Sequence, residues 1–223
     1  MSCRFVKARS ELIVCARGLL KSFGVRVRCS NSDYFAPEAV ASLPEALLQR
    51  LRGLLEMIQE LTQQVRTYDQ QIEKTAQAYP ELERLTSVPC VGTLTALSFV
   101  LTLEDPLRIA RSRLAGCVCG LRPRRSQSGD SDPQLGIAKT GDGYLRTLLV
   151  QCAHHLLGCF GKDCALRRWG LSLAERGGSA AKKRAIIAVA RKLAVLLHRL
   201  WRTQTAFLAF PSGSPPDVAA TTA

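Results

Sequence analysis

Apolar residues recur at steps of three and four along most of this chain, which predicts amphipathic helices rather than strands. Residues 4–23 place Phe5, Ala8, Leu12, Cys15 and Leu19 on one stripe, and Gly24 follows in the position of a left-handed helix cap. Residues 25–44 give mixed signals and support no element. From Leu47 the pattern becomes strict: Leu47, Leu51, Leu54, Ile58, Leu61, Val65, Tyr68 and Ile72 alternate between steps of four and three. That is a heptad seam, continuing to Tyr79 and stopped by Pro80. Leu51, Ile58, Val65 and Ile72 form one core set, mostly β-branched; Leu47, Leu54, Leu61 and Tyr68 form the other. This distribution favours a parallel two-stranded coil, with packing of the helix on its own domain as the alternative.

Beyond Pro80 the chain reads as a second helical region. Residues 85–88 lead into Pro89-Cys90-Val91-Gly92 and then an apolar run over 94–103, broken at Glu104-Asp105-Pro106. A short helix is expected over 107–118, then a loop rich in Arg, Ser, Gly, Asp and Pro over 120–143. Helical spacing resumes over 144–160 through Leu145, Leu148, Leu149, Cys152 and Leu156. Gly177-Gly178-Ser179 marks a turn before a last helix over 180–201. Ile186, Ile187, Ala190, Leu193, Leu197 and Leu200 are expected to face inward there, with Lys182, Lys183, Arg184, Arg191, Lys192, Arg199 and Arg202 opposite. The tail from Pro211 has the composition of a disordered segment. The fold class is therefore mainly α: a long coiled-coil helix followed by a helical domain containing a helix-hairpin-helix. The divisions expected are 1–43, 44–80, 81–210 and 211–223.

Charge narrows the function. The 223 residues carry 31 Lys and Arg against 18 Asp and Glu, a net charge of +13, and an excess of that size signals an anionic partner. No apolar run reaches the roughly 18 residues of a membrane span, and charges interrupt the N-terminus too often for a signal-peptide core, so nucleic acid in the cytoplasm is the favoured setting. The nine cysteines include no C-x-x-C pair. Cys152, His155 and Cys159 make the one metal-like grouping; buried free thiols explain the cysteines without zinc, and no metal site is expected.

Three segments carry candidate chemistry. The turn at Val88-Pro89-Cys90-Val91-Gly92 joins two helices and can offer backbone N–H groups, at Val91 and Gly92, to a phosphate; a structural corner is the alternative. If the position of Cys90 requires positive φ, cysteine is strained there. The segment Gly120-Leu121-Arg122-Pro123-Arg124-Arg125-Ser126-Gln127-Ser128-Gly129 sets Arg124 and Arg125 beside two serines, able to neutralise a phosphodiester while a hydroxyl attacks. Arg/Ser/Gly loops are also commonly just solvated. In Gly136-Ile137-Ala138-Lys139-Thr140-Gly141-Asp142-Gly143-Tyr144-Leu145-Arg146, Lys139 and Arg146 stand roughly two helical turns apart around a helix start, with Asp142 as N-cap.

Taken in order, the stretches LTSVPCVGTLTALSFV, RLAGCVCGLRPRRSQSG, GIAKTGDGYLRTLLVQCA, LRRWGLSLAERGG and KKRAIIAVARKLAVLLHRLW resemble the C-terminal transposase domain of the IS-one-ten (IS-one-sixteen, IS-nine-oh-two) insertion-sequence family. VKARSELIVCARGLLKSFGVR is similar to the helical segment that follows the family's nuclease-like domain, so the resemblance covers nearly the whole chain. It implies a bacterial recombinase of mobile DNA, acting as an oligomer with a structured guide RNA. It also implies a RuvC-like domain with four metal-binding acidic residues, and a C-terminal serine that bonds covalently to DNA. The resemblance places that serine at Ser128, with Ser126 as runner-up. DNA contacts are expected at Arg124, Arg125, Lys139, Arg146, Val91 and Gly92, and self-association through Leu47, Leu51, Leu54, Ile58, Leu61 and Val65.

The departures are as informative. Met1 stands after the point where the family's metal-binding carboxylates occur, so Mg²⁺ is expected only with a domain not found in this sequence. Cys90 replaces a hairpin glycine, and Asp130 and Asp132 follow Ser128-Gly129 where neutral or basic residues are usual. Three origins fit: a truncated copy, a decaying one, or a start codon assigned too late. A transposase or its C-terminal remnant is the leading expectation. The alternative is a non-catalytic coiled-coil DNA- or RNA-binding protein that modulates a full-length transposase.

Overall fold

The computed structural model describes residues 2–29, 31–124, 126–128 and 135–211. The expected tail disorder concerns residues largely outside that set. Among the described residues the chain is mainly α, with helices α1 (Ser2–Ser22), α2 (Phe35–Ser42), α3 (Glu45–Ala76), α4 (Leu82–Thr86), α5 (Thr93–Leu103), α6 (Ala115–Val118), α7 (Gly143–Leu157), α8 (Ala165–Ala174) and α9 (Ser179–Thr203). They form two compact units, Met1–Thr75 and Ala76–Ala223. No described helix is long and apolar enough to cross a membrane.

In the first unit α1 ends as its sequence predicts. Gly24 adopts φ +71°, its N–H bonds Lys21 O at 3.1 Å, and Val25 N–H bonds Leu20 O at 3.0 Å. That pair of bonds satisfies two carbonyls the helix end would leave open. The buried stripe of α1 lies one position over from the expected one. Arg9, Ile13, Ala16 and Leu20 are buried, whereas Cys15 and Leu19 are exposed and Phe5, Ala8 and Leu12 sit at the margin. The cause is α2, an element that the mixed signals over 25–44 do not predict. Its Phe35, Ala36 and Ala39 join Val27 and Cys29 in one core with Ile13, Ala16 and Leu20. Arg17 locks that arrangement, stacking 5.3 Å above the Phe35 ring and donating to Cys29 O.

The heptad of α3 is divided between two faces. Leu51, Ile58 and Val65 are buried in the unit together with Leu55 and Thr62, so the inward stripe combines the first seam set with its neighbours. Leu47, Leu54, Leu61, Tyr68 and Ile72 are only half-buried. Phe5, near the start of α1, stacks on Tyr68 at 5.6 Å, while Leu20 at its end shares a core with Leu51 and Leu55. The two helices therefore run antiparallel. The physical correction is that Leu51, Ile58 and Val65, expected at an interface between copies, already bury their side chains against this chain.

In the second unit α9 is the centre, packed against α4, α6, α7 and α8. Its deepest face is Ala181, Ala185, Val189, Ala190, Leu193, Ala194, Leu197, His198, Leu200 and Trp201; Ile186 and Ile187, expected inward, are half-buried. Alanines win the inner stripe because small side chains let helices approach closely. The same closeness appears at Gly170 of α8, where a Cβ would meet Val189 Cγ2 at 2.5 Å and Leu157 Cδ2 at 2.7 Å. Trp201 meets Phe99 of α5 edge-on, with centroids 6.4 Å apart. Where one helix was expected over 107–118, two short 3₁₀ turns, Pro106–Arg108 and Ser112–Leu114, precede the single turn of α6. Asp105 caps the first of them through Leu107 N–H at 2.7 Å.

His198, fully buried on α9, ties those turns down. Its Nε2 lies 3.0 Å from Pro106 O and its Nδ1 3.0 Å from Ser112 Oγ. A carbonyl only accepts, so Nε2 carries the proton and Nδ1 accepts from the serine. Burial pushes the imidazole pKa below its ordinary 6.5, the Pro106 bond opposes this, and Arg202 adds to it. The unfolded chain therefore takes up a proton at higher pH than the folded one. The stabilisation is complete above about pH 6.5 and falls as pH drops from there toward the depressed folded value. Thermal unfolding followed by circular dichroism between pH 7.5 and 5 should show Tm falling with acid, and His198→Gln should flatten that slope.

Candidate nucleic-acid interface

The charge excess belongs mostly to the second unit: from Ala76 onward the chain has 20 Lys and Arg against 10 Asp and Glu, a net +10 of the total +13. Lys182, Lys183, Arg184 and Arg199 are exposed on α9, and Lys192 lies 3.9 Å above the Trp169 ring. The segments singled out from sequence lie in this unit.

The stretch between α6 and α7 is more than a loop. Gly120 closes α6 with φ +67°, Gly120 N–H bonding Cys117 O and Leu121 N–H bonding Gly116 O, both at 2.9 Å. Two extended arms follow. Arg124 N–H bonds Gly136 O at 2.9 Å, Ala138 N–H bonds Arg122 O at 2.8 Å, and Pro123 faces Ile137 in an antiparallel bridge. Leu121 anchors the first arm, 1% exposed. The excursion that continues from the first arm exposes Arg124, Ser126 and Ser128. Arg125, expected as a DNA contact, and Asp130 and Asp132 lie outside the described residues.

Two glycines fit the arms to the helices. A Cβ on Gly120 would sit 2.0 Å from Thr140 O, and one on Gly141 (φ +80°) 1.9 Å from Val118 O. Arg146 completes the joint from α7: its Nη1 donates to Cys119 O and Thr140 O, each at 3.3 Å. The structure thus makes half-buried Arg146 a tie at the base of the excursion. Lys139 is exposed with φ +57°, in the arm before Gly141 and not on a helix with Arg146. Asp142 caps α7 as its sequence position predicts, accepting from Leu145 N–H at 2.6 Å. Cys119, buried beneath the joint, has its thiol pKa pushed up to about 12 by burial and by Asp142, against Arg146.

At the turn between α4 and α5, Cys90 does take a left-handed conformation, φ +69°. Val91 is buried, and its N–H donates to Val88 O at 3.1 Å, closing the turn. Gly92 is exposed at the N-cap of α5, which has no side-chain cap. The donors left open there are those of the first helical turn, not Val91. A non-glycine residue at this φ costs about 1–2 kcal/mol, partly offset by the greater freedom of an unfolded glycine. Cys90→Gly should therefore stabilise the protein by about 0.5–1 kcal/mol, read as an increased urea midpoint with unchanged slope.

The grouping Cys152, His155 and Cys159 is split. Cys152 is buried against Thr95 Oγ1 at 3.6 Å, whereas His155 and Cys159 are exposed. Among the described residues no three His, Cys, Asp or Glu side chains come together as metal ligands. Burial also raises the Cys90 and Cys152 thiol pKa values, which leaves both protonated and poor nucleophiles.

Fold and charge define a basic helical domain that displays a braced Arg/Ser segment. Residues 82–165, from α4 to the start of α8, match the sequence model of the Transposase IS116/IS110/IS902 family. The chain is 33% identical over 212 residues to the transposase for insertion sequence element IS1111A of Coxiella burnetii, covering 92% of this chain and 57% of that protein. It is 29% identical over 212 residues to a probable family 20 transposase of Pseudomonas aeruginosa, covering 92% and 62%. Over 71 residues it is 42% identical to the transposase for insertion sequence element IS1328 of Yersinia enterocolitica, covering 32% and 21%. The chain thus spans about three-fifths of the two relatives it matches along most of its length.

Proposed function

We propose that the second unit is the DNA-binding and strand-joining domain of an insertion-sequence transposase, and that Ser128 is its nucleophile, with Ser126 as the alternative. The observation that carries this reading is the braced excursion: two exposed serines beside exposed Arg124, on a ladder whose base admits no side chain at Gly120 or Gly141. In the proposed step Ser128 Oγ attacks a backbone phosphorus and releases its proton to water, an O–P bond forms, the bond from phosphorus to a deoxyribose oxygen breaks, and that oxygen takes up a proton from water. One phosphodiester replaces another, so the bond energy is kept for rejoining. Arg124 offsets charge developing on the phosphorane oxygens. Lys139 holds the flanking backbone, and the open amides from Gly92 into α5 add a contact that reads no sequence.

The family resemblance supplies the rest of the proposal: a metal-bearing nuclease-like domain, a structured guide RNA, action in the cytoplasm, and an assembly of several copies. Exposed Val14, Phe23 and Met57 in the first unit, with half-buried Leu47, Leu54 and Leu61, favour association between copies. A monomer mass by light scattering would remove that part. The core reading is tested by mobility shift at low salt. The chain should retard both DNA and structured RNA, with affinity falling steeply as salt rises; absence of retardation with either would defeat it.

A further inference from the structure

The far end of α7 carries a feature that neither the ladder nor the turn at Cys90 uses. Residues expected to continue that helix instead leave it at Gly158, whose N–H bonds His154 O at 3.0 Å and His155 O at 3.2 Å. Phe160 then stands 90% exposed. The backbone on either side of it is tied down. Arg167 donates to Leu156 O at 2.6 Å and Gly158 O at 2.7 Å, gripping both sides of the turn. Gly161 lies so close that a Cβ would sit 2.0 Å from Leu156 O. Phe160 forms, with His154, His155, Gly158 and Cys159, an open-sided pocket of about 180 Å³.

We infer that this pocket is a stacking site for one unpaired nucleobase, Phe160 offering its ring face and His154 and His155 offering edge hydrogen bonds. The inference rests on the nucleic-acid reading above and names the single-stranded part of that ligand. Charge favours this occupant over an apolar peptide. Lys162 is exposed in the same turn, the unit carries a net +10, and Asp163, the nearby carboxylate, is occupied by Arg168 at 2.7 Å. Aromatic stacking tolerates any base, because every base has a π face. The imidazoles can each donate and accept, so they too accommodate different base edges. A strand parted from its duplex presents such bases; an intact duplex does not.

The test compares a labelled single-stranded oligonucleotide with its duplex, by fluorescence anisotropy on the full chain at low salt. Phe160→Ala should weaken single-strand binding about tenfold and change duplex binding less than twofold. Phe160→Trp should keep single-strand affinity and gain emission that the strand quenches beyond any change in the unmodified chain. Equal single-strand affinity for Phe160→Ala, with no added quenching in Phe160→Trp, overturns the stacking site while leaving nucleic-acid binding intact. A loss equal for strand and duplex also overturns it, as does a fall in light-scattering mass on Phe160→Ala, which assigns the ring to a protein interface. Failure of the unmodified chain to bind either ligand removes the underlying reading as well.

Discussion

Ser128→Ala should reduce formation of a covalent protein–DNA adduct by at least about a thousandfold, with DNA affinity unchanged within about twofold. Oγ of Ser128 is the atom proposed to bond phosphorus, and an alanine side chain carries no nucleophile. The side chain is exposed on the excursion, so its removal leaves no buried cavity. Binding should persist because the cations around it are untouched. The assay is a denaturing gel of protein incubated with the ends of its element, the guide RNA and the metal-bearing domain the family implies. Ser126→Ala serves as the parallel control. If Ser126→Ala abolishes the adduct and Ser128→Ala does not, the nucleophile is Ser126. If neither does, the covalent role of this segment is wrong.

Gly141→Ala should unfold the base of that excursion. A left-handed alanine costs about 1–2 kcal/mol, and a Cβ at 1.9 Å from Val118 O forces backbone displacement as well. Overpacking of this kind typically adds about 1–3 kcal/mol, so a total near 3 kcal/mol is expected, a large share of the roughly 5–15 kcal/mol that stabilises a folded protein. The two arms of the ladder, Arg146 and the cap at Asp142 all meet there, so the loss should be cooperative. Tm should fall by about 6–12 °C, and protease cleavage between residues 120 and 143 should appear at temperatures where the unmodified chain resists. A fall of less than about 2 °C would show that Val118 can give way and that the joint is not tight.

What the sequence makes legible is what neighbouring residues decide. Helical period is local, so α1, α3, α7 and α9 are readable from spacing alone. So are the caps at Gly24 and Asp142, and the strained backbone at Cys90, because each needs only its own few residues. What it hides depends on partners distant along the chain. Two adjacent apolar stripes on α1 are equally plausible until α2 and the Arg17–Phe35 stack select one. The seam of α3 has the spacing of a coil between copies, yet Leu55 and Thr62 bury with Leu51 and Ile58 against the chain itself. Spacing marks Arg146 as a candidate phosphate contact but does not show that the carbonyls of Cys119 and Thr140 converge on it. Gly120 and Gly141 carried the one local signal of that joint, glycine beside a helix end, but not their fit against Thr140 and Val118. His198 gave no sign in sequence of the two partners that hold it.

Nucleic acid is proposed to lie on the second unit, across the braced excursion and the start of α5. Photo-crosslinking the full chain to labelled DNA, followed by peptide mapping, tests it most directly. Crosslinked peptides should concentrate in residues 85–94 and 120–146. Crosslinks confined to residues 1–75 would contradict it.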